Sequence, residues 1–219
     1  MKKTYTWILI LVLLGFVLAG LFFTVSPDQI PAHYNIRGEI DRWGSKYEYI
    51  VFPIINFVFG IFMAWIAKRE GKQGREMNER VVASMTVMIL ILFNILWAFF
   101  MYKAINISSS EAKFGQLPTK LIVIATCASF IPIGNMMPKA ERNSLFGLRT
   151  KWSMANERCW QLSQRFAAYT FIITGILGIV VCSLIPSHLG GFVLLFLILA
   201  MTIICTYASY RIYKKDLQN

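Results

Sequence analysis

Six long apolar segments constrain this chain more than any other feature. They span residues 7–25, 49–67, 81–102, 118–134, 166–185 and 192–210. Stretches of about 18 or more residues with few or no charges are long enough to cross a bilayer as helices. A chain built this way is expected to be all-α: a polytopic membrane protein with six transmembrane helices. Its composition agrees, because 57% of residues are hydrophobic and 15% are charged. A soluble domain carries about 25% charged residues. Residues 26–48 are polar and punctuated by Pro27, Pro31, Gly38 and Gly44, which predicts a structured loop with short extended pieces.

The first segment follows Lys2 and Lys3, as a secretory signal would. Its apolar run continues past Ala19 through Phe23, longer than the usual 7–15-residue signal core, so an uncleaved helix is expected. Residues 68–80 read as a basic connector. Pro132 is expected to kink or stop the fourth helix, and residues 186–191 to form a tight turn.

Lysine and arginine counts set the orientation. Sixteen of the 22 fall on the side of the N-terminus and six on the other. The positive-inside rule then places both termini in the cytoplasm and the 26–48 loop outside. The net charge of +11 is therefore spread among loops along one membrane face, which argues against nucleic acid and for contact with membrane lipids. The four cysteines are Cys127, Cys159, Cys182 and Cys205. They form no CxxC, and three lie in apolar segments, so they read as small buried hydrophobes.

The chemistry the sequence lacks is informative. No ionisable residue lies near the middle of a segment, which counts against a carrier driven through a buried carboxylate. Asn56 and Asn94 are the amides best placed for a polar path, or for hydrogen bonds between helices. The two histidines are His33 and His188. There is no HExxH, GxSxG or Walker loop. No catalytic residue and no cofactor are expected, and the protein reads as a non-enzyme.

Two polar stretches remain. In the outer loop, Asp28, His33, Glu39 and Asp41 are metal-ligand types, but their spacing matches no established metal site. The loop reads instead as a self-folded ligand-binding element carrying His33, Asn35, Gly38, Asp41, Trp43 and Lys46. The second stretch, residues 135–165, is the longest polar interruption after residue 50. It holds six basic residues against Glu141 and Glu157. Ser153 is placed to cap a helix beginning at Met154 that runs on into the fifth segment. Arg142, Arg149, Arg158 and Arg165 are placed to meet lipid phosphates. Arg149, Trp152 and Trp160 are residue types that anchor protein partners.

The second stretch resembles the signature of the SdpI-type immunity protein family. The matching residues are Gly134-Asn135, Pro138-Lys139, Asn143, Gly147-Leu148-Arg149-Thr150, Trp152, Ser153, Trp160 and Arg165. The outer loop resembles the N-terminal domain often fused to that family, through Pro31, His33, Asn35, Gly38, Asp41, Trp43, Ser45 and Lys46. Two positions depart from the pattern: Lys151 stands where Pro is usual, and Gln164 where His is common. The resemblance implies a bacterial inner-membrane protein that protects its producer from a secreted toxic peptide. It also implies a receptor that holds a cytoplasmic transcriptional repressor at the membrane. The partner-binding residues would then be Asn143, Arg149, Thr150, Trp152, Trp160 and Arg165. The expected division is an N-terminal helix pair with its loop, 1–70, and a four-helix region, 71–219. A small transporter or lipid-handling protein is the alternative, and it requires a polar cavity near Asn56 and Asn94.

Overall fold

A computed structural model describes all residues except 36–38, 107–116, 144–145 and 219, with side chains 117–119 also left undescribed. Among the described residues are six helices long and apolar enough to cross a membrane. Helix α1 (Lys2–Val25) leads into an antiparallel hairpin of β1 (Gln29–Tyr34) and β2 (Ile40–Ser45). A short 3-10 turn, Lys46–Ile50, joins the hairpin to α2 (Val51–Lys72). Helices α3 (Glu76–Asn106), α4 (Leu117–Met136), α5 (Glu157–Leu184) and α6 (Ser187–Asp216) complete the chain.

The helices are not amphipathic in the soluble sense, because their outward faces are apolar too. On α1, Trp7, Leu9, Leu13, Val17 and Leu21 are exposed, while Ile8, Leu11, Val12, Ala19 and Phe22 are buried. That is the pattern of a helix with lipid on one side and protein on the other. The buried residues assort into two trios. Ile8, Val12, Ile66, Ala67, Val82 and Leu90 join α1, α2 and α3. Met137, Ala167, Ala168, Met201 and Cys205 join the end of α4 to α5 and α6. In lipid there is little hydrophobic gain from helix contact, so close packing of small residues has to supply it. On α5, a Cβ at Gly175 would stand 2.7 Å from the Cys127 carbonyl oxygen; on α4, one at Gly134 would stand 2.7 Å from that of Ala168. The α4–α5 seam depends on both glycines.

The hairpin is seated rather than free. Ile30 and Pro31 are buried, and the Tyr49 hydroxyl donates to the Pro31 carbonyl at 3.2 Å. The Tyr49 ring stacks on Phe22, with centroids 5.1 Å apart. The short extended pieces expected within 26–48 are these two strands.

Four local expectations change. The 68–80 connector shrinks to residues 73–75, because α2 and α3 extend past the apolar runs and meet through a turn at Gly74 (φ 78°). Pro132 lies inside α4, which continues to Met136. The turn expected at 186–191 is shorter, since α6 starts at Ser187 with Pro186 as its N-cap; Pro186 lacks an N–H, which a helix start does not need. Helix α5 begins at Glu157 rather than Met154. Its cap is Asn156, whose side chain accepts from the Cys159 N–H at 2.8 Å. As expected, that helix runs unbroken through the fifth segment.

Candidate functional site

The two polar stretches lie at opposite ends of the bundle. At the end shared by both termini, the described residues of 140–156 fold into a compact loop. Trp160 on α5 is fully buried and donates from Nε1 to the Ala140 carbonyl at 2.7 Å. One turn later, Gln164 Oε1 accepts from the Leu148 N–H at 3.0 Å, and Gln164 Nε2 donates to the Leu148 carbonyl at 3.0 Å. These two side chains pin both arms of the loop to one helix. Gly147 takes φ 95°, the left-handed region, and a Cβ there would meet Gln164 Oε1 at 2.8 Å.

Ser153 is buried in this loop and closes a turn. Its Oγ accepts from the Thr150 N–H at 2.9 Å and donates to the Leu148 carbonyl at 2.7 Å. Thr150 Oγ1 accepts from the Ser153 N–H at 3.0 Å and pairs with Ser209 Oγ on α6 at 2.8 Å. Asn143 is buried, accepts from the Phe146 N–H at 2.9 Å and donates to the Glu141 carbonyl at 2.9 Å. Trp152 is half-buried, edge-on to Tyr210 at 5.2 Å, with Lys151 Nζ 5.1 Å from its ring centre. Arg149 and Arg165 are exposed. Asn143, Thr150 and Trp160 thus build the loop, while Arg149, Arg165 and the edge of Trp152 face outward from it.

A second trio of residues holds the loop from below. Glu70, with 1% of its side chain exposed, receives Arg75 Nε at 2.6 Å and Nη2 at 2.8 Å. Asn78 Nδ2 donates to Glu70 Oε2 at 3.1 Å, and Asn78 Oδ1 accepts from the Glu141 N–H at 2.9 Å. The Glu70 carboxylate raises the Arg75 guanidinium above its ordinary value, chiefly by hydrogen bonding. Sequence reasoning singled out none of Glu70, Asn78 or Ser209, and noted Gln164 only as a departure from the family pattern. An acid three residues past an apolar run, in a basic stretch, is not visibly buried, and the partners are separated by up to 63 residues.

At the other end, the hairpin brings most of its expected ligand residues to one surface. His33 Nδ1 and Asp41 Oδ1 are 2.7 Å apart across the strands. Asn35 and Glu39 exchange two bonds, Asn35 Nδ2 to Glu39 Oε2 at 2.9 Å and the Glu39 N–H to Asn35 Oδ1 at 3.0 Å. Lys46 Nζ pairs with Asp28 at 3.1 Å. Trp43 is 41% exposed beside them. Gly38 lies outside the described residues. Arg42 forks onto Glu48, which raises its guanidinium, first through the hydrogen bonds and then through charge. Among the described residues, no three His, Cys, Asp or Glu side chains gather in a way that would hold a metal ion.

Known proteins share this arrangement of segments. Residues 139–209 match the model of the SdpI/YfhL protein family, and residues 10–57 match a domain of unknown function, DUF1648. The immunity protein SdpI of Bacillus subtilis (strain 168) is 24% identical over 217 residues, covering 98% of each chain. The likeness to the SdpI family thus rests on residues 139–209 and on this full-length similarity. No solved structure matches it. The SdpI-family segment takes in the whole loop from Lys139 together with α5 and most of α6. The DUF1648 segment takes in most of α1, the hairpin and the start of α2.

Proposed function

We propose that this chain is a bacterial membrane immunity protein that protects its cell from a secreted toxic peptide. The full-length similarity to the immunity protein SdpI carries the reading, because it spans both polar ends and all six helices. In this reading the termini are cytoplasmic and the hairpin is outside, as the sixteen-to-six distribution of basic residues favours. The hairpin face bearing His33, Asn35, Asp41, Trp43 and Lys46 meets the peptide. Gly38, in the same stretch, belongs to the proposed ligand set on sequence grounds alone. The 140–156 loop meets a cytoplasmic partner, a transcriptional repressor, through Arg149, Trp152 and Arg165 on a frame set by Asn143, Thr150 and Trp160. Labour would divide between residues 1–70 and 71–219.

A transporter reading draws less support. The cavity beside Asn56 measures about 260 Å³, but Phe52, Ile55, Phe93, Leu96 and Phe100 form most of its wall. A polar substrate would find few partners along it.

A protection assay tests the proposal. A sensitive bacterium without relatives of this protein is challenged with an SdpC-like toxic peptide while expressing the wild type, His33→Ala, Asp41→Ala or Arg149→Ala at matched membrane levels. Survival with the wild type and Arg149→Ala, but not with the hairpin variants, is expected. Killing of well-expressing wild-type cells would remove this peptide as the cognate toxin.

A further inference from the structure

Between α3 and the α4–α6 side of the bundle runs an apolar furrow that none of the described residues fills. One part, of about 150 Å³, is lined by Met85, Met88, Leu92, Ala125, Ala128 and Ile133. A second, of about 230 Å³, is lined by Met85 and Ile133 again and then by Met137, Phe146, Met201 and Arg149. The two adjoin at Met85 and Ile133, and the second reaches Arg149 in the end loop.

Such a furrow does not stay empty within a bilayer. Its lining gives a water molecule too few polar partners. A void would forfeit dispersion contacts along the whole wall. A flexible hydrocarbon chain fills it without cost to hydrogen bonding, and four methionines offer an adaptable wall for one.

The mouth of the furrow specifies the rest of the ligand. Arg149 is exposed and has no ion-pair partner among the described residues. Five acids at this end of the bundle are engaged elsewhere: Glu70 by Arg75, Glu76 by Arg80, Glu157 by Arg142, Asp216 by Arg158, and Glu79 by the Tyr5 hydroxyl; Glu141, in the same loop, makes no ion pair with Arg149. The chain on either side of Arg149 is held, by the Gln164–Leu148 pair and the Thr150–Ser209 bond. A guanidinium fork suits a phosphate group. We infer that an anionic phospholipid is bound here, with one acyl chain in the furrow between α3 and α4 and its phosphate on Arg149. The lipid would bridge the two helix trios at the foot of the SdpI-family loop.

The experiment uses the full chain in nanodiscs of mixed phosphatidylglycerol and phosphatidylcholine. Either lipid carries a photoreactive diazirine in its chain, and labelled peptides are mapped by mass spectrometry. Phosphatidylglycerol is expected to label residues 85–92 and 125–133 above the outward face of α1. Arg149→Gln should lower its preference over phosphatidylcholine about five-fold. Lys214→Gln, at the same end but outside the furrow, should leave the preference unchanged. Ala128→Trp, which fills the furrow, should abolish the focused labelling. Labelling spread evenly over all lipid-facing helices would overturn the inference, and that map needs no variant to fold. Equal losses from Arg149→Gln and Lys214→Gln would overturn it too, by showing only general surface attraction.

Discussion

Gln164 grips Leu148 by both of its backbone polar groups, accepting from the N–H and donating to the carbonyl, each at 3.0 Å. A side-chain carboxamide does here what a neighbouring β-strand would do. A histidine, common at this position in the family resemblance, has one donor and one acceptor only in its neutral form, and they lie on opposite edges of the ring. The carboxamide sets donor and acceptor side by side, so it fits the N–H and carbonyl of one residue. Gln164→Ala would leave the Leu148 N–H unpaired, at about 1–3 kcal/mol, while the Leu148 carbonyl keeps the Ser153 hydroxyl. The expected result is a lower melting temperature in detergent and faster trypsin cleavage after Arg149 and Lys151. Unchanged cleavage would mean that the loop holds its shape without Gln164.

Gly147 is the counterpart of that grip. Its φ of 95° disfavours any side chain, and the space a Cβ needs is occupied by Gln164 Oε1 and the Trp160 ring. Gly147→Ala is therefore expected to destabilise by roughly 1–3 kcal/mol, read as a drop in melting temperature. Combining it with Gln164→Ala should cost less than the sum of the two, because the clash and the grip share one atom. Strict additivity in that double-mutant cycle would show that the two residues do not act through each other.

The membrane frame was legible in the sequence because lipid imposes one simple rule, length without charge, and six segments obey it. The α5 extension was legible for a similar reason, since no Pro or Gly interrupts 157–174. The interior of the loop was not legible. Trp160 reads on paper as a contact anchor, yet its indole is consumed by the Ala140 carbonyl. Ser153 reads as a helix cap, yet Asn156 takes that role and Ser153 closes the turn at Thr150. Either residue could cap by type, and the choice depends on where α6 places Ser209, which no local pattern encodes.

Glu70, Arg75 and Asn78 join the α2–α3 turn to the start of the loop at Glu141. A carboxylate this buried is tolerable only with its partners, and removing one partner typically costs about 3–5 kcal/mol. Arg75→Met alone is expected to destabilise strongly. Glu70→Met with Arg75→Met should recover much of that loss, because no unpaired charge remains. Thermal melts of the two variants check this. A double variant as unstable as the single one would show that Glu70 matters for its bond to Asn78 rather than for its charge.

Asn94 donates from Nδ2 to the Leu11 carbonyl at 3.1 Å and to its own helix at Leu90, at 2.8 Å. Its Oδ1, the Oδ1 of Asn56 and the Nε1 of Trp97 are buried nearby with no partner among the described residues. A Cβ at Gly15 would lie 3.1 Å from the Asn56 amide and 3.6 Å from Asn94 Oδ1, so α1 closes over both. Losing the Asn94 bond costs about 0.6 kcal/mol by the average for such interhelical bonds. Removing an unpaired buried oxygen offsets that loss. Asn56→Leu is therefore expected to raise the melting temperature, and Asn94→Leu to leave it nearly unchanged. Protection from the toxic peptide should survive both substitutions if recognition is confined to the hairpin. Loss of protection by a stable, well-inserted Asn56→Leu variant would instead move part of the recognition surface into the membrane, to the cavity beside Asn56.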